Sequence, residues 1–252
     1  MEKLSVVIIT LNEEKHLKTC LESVKDVADE ILVLDSFSTD RTKDICLEAG
    51  ATFQEHKFDG YISQKNRALQ MAKYDLVLSL DGDEAISTDA NNQIIAIKKD
   101  RKADGYYFKR KNNYCGKWME FTSMYPDRKL RVFDRRKATW TGYDPHDFVQ
   151  MRPDSKTERI EADLIHWVYS DIKEHRNKAD KFSGIAAQSY YDQKKPCKAT
   201  DKYTHSTWRY IDELLLKGGI LEGWRGMKFA RISAWYVYQK YQKLEKLYAE
   251  RS

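Results

Sequence analysis

Along the first hundred residues the apolar positions fall in short runs that switch between two periods. Residues 4–10, LSVVIIT, form an unbroken, largely β-branched stretch, the pattern of a strand buried on both faces. Leu17, Leu21 and Val24 follow at helical spacing. EILVLD (30–35) predicts a second strand. STDRTKDICLEAG predicts a helix with Ser38 as N-cap and Gly50 as the residue past its end. ATFQE reads as a weaker third strand, YISQKNRALQMA (61–72) as a helix with Ile62, Leu69 and Ala72 inward, and DLVLSLD (75–81) as a fourth strand. Strand and helix alternating in this way imply a parallel α/β sheet with right-handed crossovers.

Beyond Lys102 the pattern loosens. GYYFKRKNNYCGKWM and RKLRVFDRRKATWTG are short, aromatic, basic and broken by glycine, and predict strands and loops at a sheet edge. From Asp171 the periodicity turns helical, over about 171–194, 206–217 and 224–250. No repeat, low-complexity tract or Pro/Gly-rich linker interrupts the chain. The expected organisation is therefore a domain over 1–170, in two halves (1–100 and 101–170), with a helical region, 171–252, packed on it.

Composition supports a folded body, with 41% hydrophobic and 33% charged residues in 252. No apolar run approaches the roughly 20 residues of a membrane span, and no basic-then-apolar leader opens the chain. Cys20, Cys46, Cys115 and Cys197 are scattered without a CxxC pair, which predicts reduced packing thiols and a cytoplasmic setting. The net charge of +5 sits at the end. Lys217 to Ser252 holds 8 Lys and Arg against 3 Asp and Glu, and the remainder has 36 of each.

Open α/β sheets bind ligands at the carboxyl ends of their strands. Here those ends are polar: TLNEE after the first strand, Asp35 and SFSTD after the second, DGDE after the fourth. Gly82 lets the backbone turn sharply between Asp81 and Asp83, so both carboxylates could reach one cation. Hard oxygen ligands at this spacing suit Mg²⁺ or Mn²⁺, which bind through one or two carboxylates plus substrate phosphates. Taken alone, the same stretch also fits a solvated acidic turn.

Together the motifs say more. SVVIITLNEEKHL, ILVLDSFSTDRT, QKNRAL and LVLSLDGDE, in that order and spacing, resemble family 2 glycosyltransferases of the GT-A fold, and among them bacterial lipopolysaccharide core glucosyltransferases. The resemblance is motif-specific over residues 3–90 and looser to about 175. It implies a nucleotide-diphospho-sugar transferase with a Rossmann-like mixed sheet and a helical C-terminal extension, residues 1–100 binding nucleotide-sugar and 101–170 the acceptor. By resemblance Thr10, Asn12 and Glu13 border the nucleotide, Asp35 meets the base, and Asp40 lies near the ribose. Lys65, Asn66 and Arg67 contact nucleotide or phosphate, Asp81 lies against ribose or sugar, and Asp83 holds the metal. His166, after the strand-like RIEADLI, could be a third metal ligand or touch the diphosphate, or be structural beside Trp167.

An inverting transferase also needs a base for the acceptor hydroxyl. TGYDPHDFV supplies Asp147, with Asp144 in reserve; the lipopolysaccharide-type relatives carry His-Glu where this chain has His146–Asp147, one methylene shorter. Trp118, Trp140 and Tyr143 could form an aromatic acceptor platform. The implied donor is a UDP-hexose, with glucose foremost, and the implied acceptor a lipopolysaccharide or other lipid-linked saccharide.

In the tail, Met227, Ala230, Ala234, Val237, Tyr241, Leu244 and Tyr248 recur at helical spacing beside Arg225, Lys228, Arg231, Lys240, Lys243 and Lys246. That pattern fits either a helix packed on the protein or a basic helix (224–250) lying on the inner face of the plasma membrane.

Three rivals are weighed. In haloacid-dehalogenase-type phosphatases the acidic pair ends the first strand, whereas here it follows the fourth. A nucleotidyltransferase wants a Gly-rich loop after strand one, and TLNEEKHL has no glycine. A basic nucleic-acid binder would rest on FKRKNNY and DRRKATW, against a carboxylate-lined crevice that repels phosphate; no nucleic-acid partner is expected. An inactive protein of the same fold stays open.

Overall fold

A computed structural model of the chain describes residues 1–143 and 146–250. The chain divides into two compact units. The first holds Met1–Lys111, Asp127–Gly142 and His146–Trp167; the second holds Asn112–Pro126, Tyr143 and residues 168–250. Beside the helical region expected from residue 171, the second unit takes in Asn112–Pro126 and Tyr143.

Unit 1 is built on a mixed sheet. Its parallel half comprises β1 (Leu4–Thr10), β2 (Glu30–Asp35), β3 (Thr52–Glu55) and β4 (Leu76–Asp81), with β2 and β4 flanking β1. β1, β2 and β4 are nearly continuous buried runs, as strands covered on both faces must be. The helices between them are α1 (Leu17–Val24), α2 (Thr42–Glu48) and α3 (Tyr61–Met71). α1 buries Leu17, Cys20, Leu21 and Val24, one stripe of a 3.6-residue period. Register is what matters for the site. Thr10 pairs with Asp35, Ile9 with Asp81, and Asp35 with Glu55, so all four parallel strands stop at one level.

The rest of the sheet is antiparallel. It uses β5 (Glu84–Ile86), β6 (Gly105–Tyr114), β8 (Asp127–Asp134) and β11 (Thr157–Tyr169), with the two-residue β7 (Lys117–Trp118) on β6; the order is β3-β2-β1-β4-β8-β6-β11-β5. β9 (Ala138–Tyr143) and β10 (His146–Met151) form a separate two-stranded sheet. α4 (Thr88–Lys99) is absent from the expected elements: its first turns are polar, and its start is fixed by Ser87, whose hydroxyl accepts from the Ala90 N–H. Ser38 is no helix cap. α2 begins at Thr42, and the Ser38 hydroxyl is bound to Asp35 instead. Gly50 does lie past α2 with φ +72°, as a C′ residue should. All four cysteines are free, and burial pushes the Cys46 thiol up to about 12.

Unit 2 is largely helical: α5 (Ile172–Asp192), α6 (Asp201–Ile211), a π-helical turn Asp212–Leu216, a 3-10 turn Gly219–Glu222 and α7 (Trp224–Glu250). α7 packs on α5 and α6. Most of the apolar stripe lies in that packing, as the first of its two readings has it: Ala230 and Leu244 are fully buried and Ala234, Val237, Tyr241 and Tyr248 half-buried, while Met227 is exposed. At the other end of unit 2, His175 is buried in an aromatic cluster. It stacks on Tyr169 at 4.1 Å and on Phe229 at 5.6 Å, and its Nδ1 lies 2.9 Å from the Tyr114 hydroxyl. Burial pushes its pKa down to about 4.

Candidate active site at the strand ends

The three acids of DGDE stand within four residues of one another. The fold gives each a different task. Glu84 opens β5 and is fully buried, which is tolerable only because Arg131 on β8 (2.7 Å) and Arg110 on β6 (2.9 Å) meet its Oε1. Burial opposes its ionisation, yet the two guanidinium groups hold its carboxyl well below the usual range. Its other oxygen accepts the Asp81 N–H, which fixes the turn. Asp81 faces two cations, the Lys65 ammonium at 3.0 Å and Arg131 at 3.3 Å. The Asp83 carboxylate lies 3.5 Å from His166 Nε2.

Sheet register explains how residues so far apart in sequence meet. β5 pairs antiparallel with β11, Glu84 opposite His166, and the Trp167 N–H donates to the Asp83 carbonyl at 3.1 Å. Trp167 in turn stacks on His16 at 4.9 Å and 10°, which ties the β1–α1 loop to the same corner. Gly82 is required by a close approach: a Cβ there would stand 2.9 Å from Thr10 Oγ1 and 3.2 Å from Glu13 Cγ.

Asp147, on β10, joins the network through Lys65, whose Nζ lies 2.8 Å from it. Lys65 is itself buried on α3, with its ammonium 4.3 Å from the centre of the Trp140 ring. Burial works to raise the Asp147 carboxyl, but Lys65, with Arg131 beyond it, holds it below the usual carboxylate range. Adding the Asp127 carboxylate, which pairs with Arg110 and Lys129, charge balances: Asp81, Glu84, Asp127 and Asp147 face Lys65, Arg110, Lys129 and Arg131. Within this layer Thr10 Oγ1, Arg131 Nε and Trp140 Nε1 are buried and find no hydrogen-bond partner among the described residues. Three such atoms in one site ask for a bound polar group or water.

Several of the residues that the resemblance places at the ligand also brace the loops in this structure. Asn12, at φ +55°, accepts from the Thr39 N–H and donates its own N–H to Ser38 Oγ. Asp40 accepts from the N–H groups of Glu14 and Thr42, and the Glu13 N–H donates to Thr42 Oγ1. These bonds lace the β1–α1 loop to the β2–α2 loop. Asp35 is fully buried and accepts from Ser38 N–H (2.6 Å) and the Ser38 hydroxyl, so it shapes its own loop. Asn66 mimics a strand, donating to the Trp140 carbonyl and accepting the Trp140 N–H. Arg67 is held bidentate by Asp59. Trp140 is buried beneath Lys65 and Arg131 and so offers no open stacking face. Trp118 and Tyr143 belong to unit 2, where Tyr143 lies under the Lys195 ammonium at 6.0 Å. Asp144 lies outside the described residues.

Arg131, Arg110 and Glu84 are the residues that sequence reasoning missed. β8 carried a signal: Asp127, Lys129 and Arg131 put charge at every second position of a strand otherwise apolar at its centre. In the basic segments taken as evidence for nucleic acid, Arg135 and Arg136 pair with Asp75, Arg136 with Asp134, and Arg110 with Glu84 and Asp127. A cavity of about 420 Å³ lined by Asp89, Asn92 and Arg159 holds none of the residues of this site.

With this geometry in hand, likeness to known proteins is informative. The sequence model of glycosyl transferase family 2 matches residues 5–154, more than half of the chain. An uncharacterised glycosyltransferase of Rickettsia typhi is 26% identical, with 98% of this chain and 88% of that protein covered. A counterpart in Rickettsia bellii is also 26% identical over 98% and 87%. Among solved structures, S. aureus TarS (residues 1–349) with UDP-GlcNAc aligns over 96% of this chain and 92% of its own at 14% identity and a TM-score of 0.49. Glucosyl-3-phosphoglycerate synthase of Mycobacterium tuberculosis with Mn²⁺ and UDP-glucose aligns over 44% of each at 22% identity and a TM-score of 0.37. A mixed α/β sheet of GT-A type, a helical C-terminal extension and a family match across the strand-end site lead to one conclusion: the chain belongs to glycosyl transferase family 2.

Proposed function

We propose that this protein is an inverting hexosyltransferase that moves glucose from UDP-glucose to a saccharide acceptor of the bacterial cell envelope, a lipopolysaccharide core or another lipid-linked glycan. The observation that carries the reading is the meeting of Asp83 and His166 at the strand ends, carboxylate to Nε2 3.5 Å, beside the buried Thr10 hydroxyl. A carboxylate and an imidazole suit a divalent cation such as Mn²⁺ or Mg²⁺ that completes its shell with phosphate oxygens and water, and the partnerless buried Thr10 hydroxyl fits a polar ligand in the same place. Asp83 and His166 would hold that cation, and its chemistry there is to neutralise charge growing on the departing diphosphate.

The chain's own groups do the rest. Thr10, Glu13 and Asp81 border the donor, with Asp35 and Asp40 keeping the flanking loops in shape. Asp147 takes the proton of the acceptor hydroxyl. In the unliganded state the Lys65 ammonium makes it a weak base. An anionic donor competes for that ammonium, and as Lys65 shifts toward the donor the proton affinity of Asp147 rises. Base strength is thereby coupled to donor occupancy.

Calorimetric titration of UDP and UDP-glucose with and without Mn²⁺, on wild type and Asp83→Ala, tests the reading. Wild type is expected to bind in a metal-dependent way, and Asp83→Ala to lose that dependence and at least about tenfold in affinity, roughly 1.4 kcal/mol. Absence of nucleotide binding by the wild type under any condition overturns it.

A further inference from the structure

Residues 208–227 of unit 2 are built inside out. The two glutamates of this segment are buried: Glu213 fully, and Glu222 nearly so. Glu222 Oε1 accepts the N–H groups of Glu120 and Phe121, and Glu213 Oε2 accepts the Ser123 N–H. The neighbouring apolar side chains point the other way. Trp208 is 61% exposed, Leu215 57%, Leu216 65%, Ile220 56%, Leu221 67% and Trp224 49%. Scattered exposed leucines are ordinary, but six large apolar groups within seventeen residues are a patch, and a patch marks a partner.

The display is rigid. A Cβ at Gly226 would stand 1.8 Å from the Gly219 carbonyl oxygen, so the start of α7 is pressed against the 3-10 turn that presents Ile220 and Leu221. Apolar side chains held out by close-packed backbone cannot simply turn inward.

Charge selects the partner. Between Lys202 and Arg231 the chain has three carboxylates, Asp212, Glu213 and Glu222, and none is exposed. Asp212 is paired with Lys217 at 2.6 Å. Two cations face outward, Lys228 and Arg231, exposed on the first turns of α7; Arg225 donates to the Cys115 carbonyl with its guanidinium 4.6 Å from the Trp224 ring centre. Leucine and isoleucine at the tips of turns, tryptophan beside them, lysine and arginine around them and every carboxylate withdrawn are the groups an anionic bilayer surface accepts. No helix of the described residues is long and apolar enough to cross a membrane, so attachment through this corner is interfacial.

We propose that the π-turn, the 3-10 turn and the start of α7 form a docking surface for an anionic lipid bilayer, with Leu216 and Leu221 entering the headgroup–acyl boundary and Lys228 and Arg231 meeting lipid phosphates. This surface is distinct from the packed stripe of α7, and the inference does not depend on the identity of the sugar donor.

The full chain is tested by co-sedimentation with phosphatidylcholine vesicles with and without phosphatidylglycerol, at low and moderate salt, beside light-scattering measurement of its oligomeric state. Wild type is expected to bind the anionic vesicles, with a blue shift of tryptophan emission, and to weaken as salt rises. Leu216→Ser/Leu221→Ser is expected to bind at least about tenfold less tightly with an unchanged melting temperature, because both side chains already face solvent. Lys228→Gln/Arg231→Gln is expected to lose the preference for anionic lipid while keeping its fold. A wild type that binds neither vesicle overturns the proposal. So does a wild-type dimer that the leucine variant makes monomeric with vesicle binding unchanged, which would assign the surface to a second copy.

Discussion

Two regions of this molecule place side chains against the usual sorting of polar and apolar groups, and they resolve the conflict in opposite ways. At the strand ends of unit 1, charge goes inside. Glu84, Lys65 and Arg131 are all buried, and each finds opposite charge within about 3 Å. At the 208–227 corner of unit 2, hydrocarbon goes outside, and nothing in the unit covers it. In the first region the buried charges Glu84, Lys65 and Arg131 are paired within the unit, while Thr10 Oγ1, Arg131 Nε and Trp140 Nε1 await a polar partner. The second is open, with carboxylates folded away beneath it. A closed arrangement of buried charge organises a site; an open arrangement of exposed hydrocarbon offers one.

The sharpest way to break this comparison is to remove one member of the closed network. Glu84→Ala leaves Arg131 and Arg110 facing each other without their shared anion, and is expected to cost about 3–5 kcal/mol in urea unfolding followed by circular dichroism. A loss below about 1 kcal/mol would mean that these charges are hydrated rather than paired, and the contrast would fail. His175 sharpens it from the other side, because unit 2 buries its imidazole neutral among aromatic rings. Its pKa is about 4 in the folded protein against an ordinary 6.5, so the unfolded chain binds more protons between those values. Its contribution is complete above pH 6.5, is lost as pH falls toward 4, and amounts to about 3 kcal/mol. His175→Gln should flatten that slope in unfolding measured from pH 7 to 4; an unchanged slope would place the titration elsewhere. The smallest effect concerns one exposed aromatic in unit 1. Phe37 sits at φ +63°, where a β-carbon is strained, and Phe37→Gly is expected to gain about 1 kcal/mol or less in thermal unfolding. A loss there would mean that Phe37 is held by packing that its exposure does not reveal.

The sequence made the parallel half of the sheet easy to read, because strands covered on both faces leave unbroken apolar runs such as LSVVIIT and LVLSLD. The last helix was equally plain, and α7 spans the residues its periodicity marked. The direction of its apolar stripe was not, since a stripe packed on α5 and one lying on lipid look alike in one dimension. The identity of the strand-end residues was legible and their partners were not. Lys65 meets Asp147, and Glu84 meets Arg131, across separations that only antiparallel strands β8 and β11 and the β9–β10 hairpin bring together. The resemblance places Asn12 and Asp40 beside the nucleotide, and nothing in one dimension shows that they also brace loops. Their side chains answer a local need, the unpaired N–H groups of two adjoining loops.

Strand β5 is three residues long, and it sets when the site can exist. Asp83 leaves the ribosome early; His166, which β5 holds beside it, is made roughly eighty residues later. A nascent chain that had reached only residue 154, where the family match ends, would already own the row of Thr10, Asp35 and Asp81 and still lack the imidazole. Pairing of Asp83 with His166 must wait for β11 to be synthesised and to close against β5. An interrupted copy of this protein could therefore begin to fold like a transferase while missing one half of its Asp83–His166 pair.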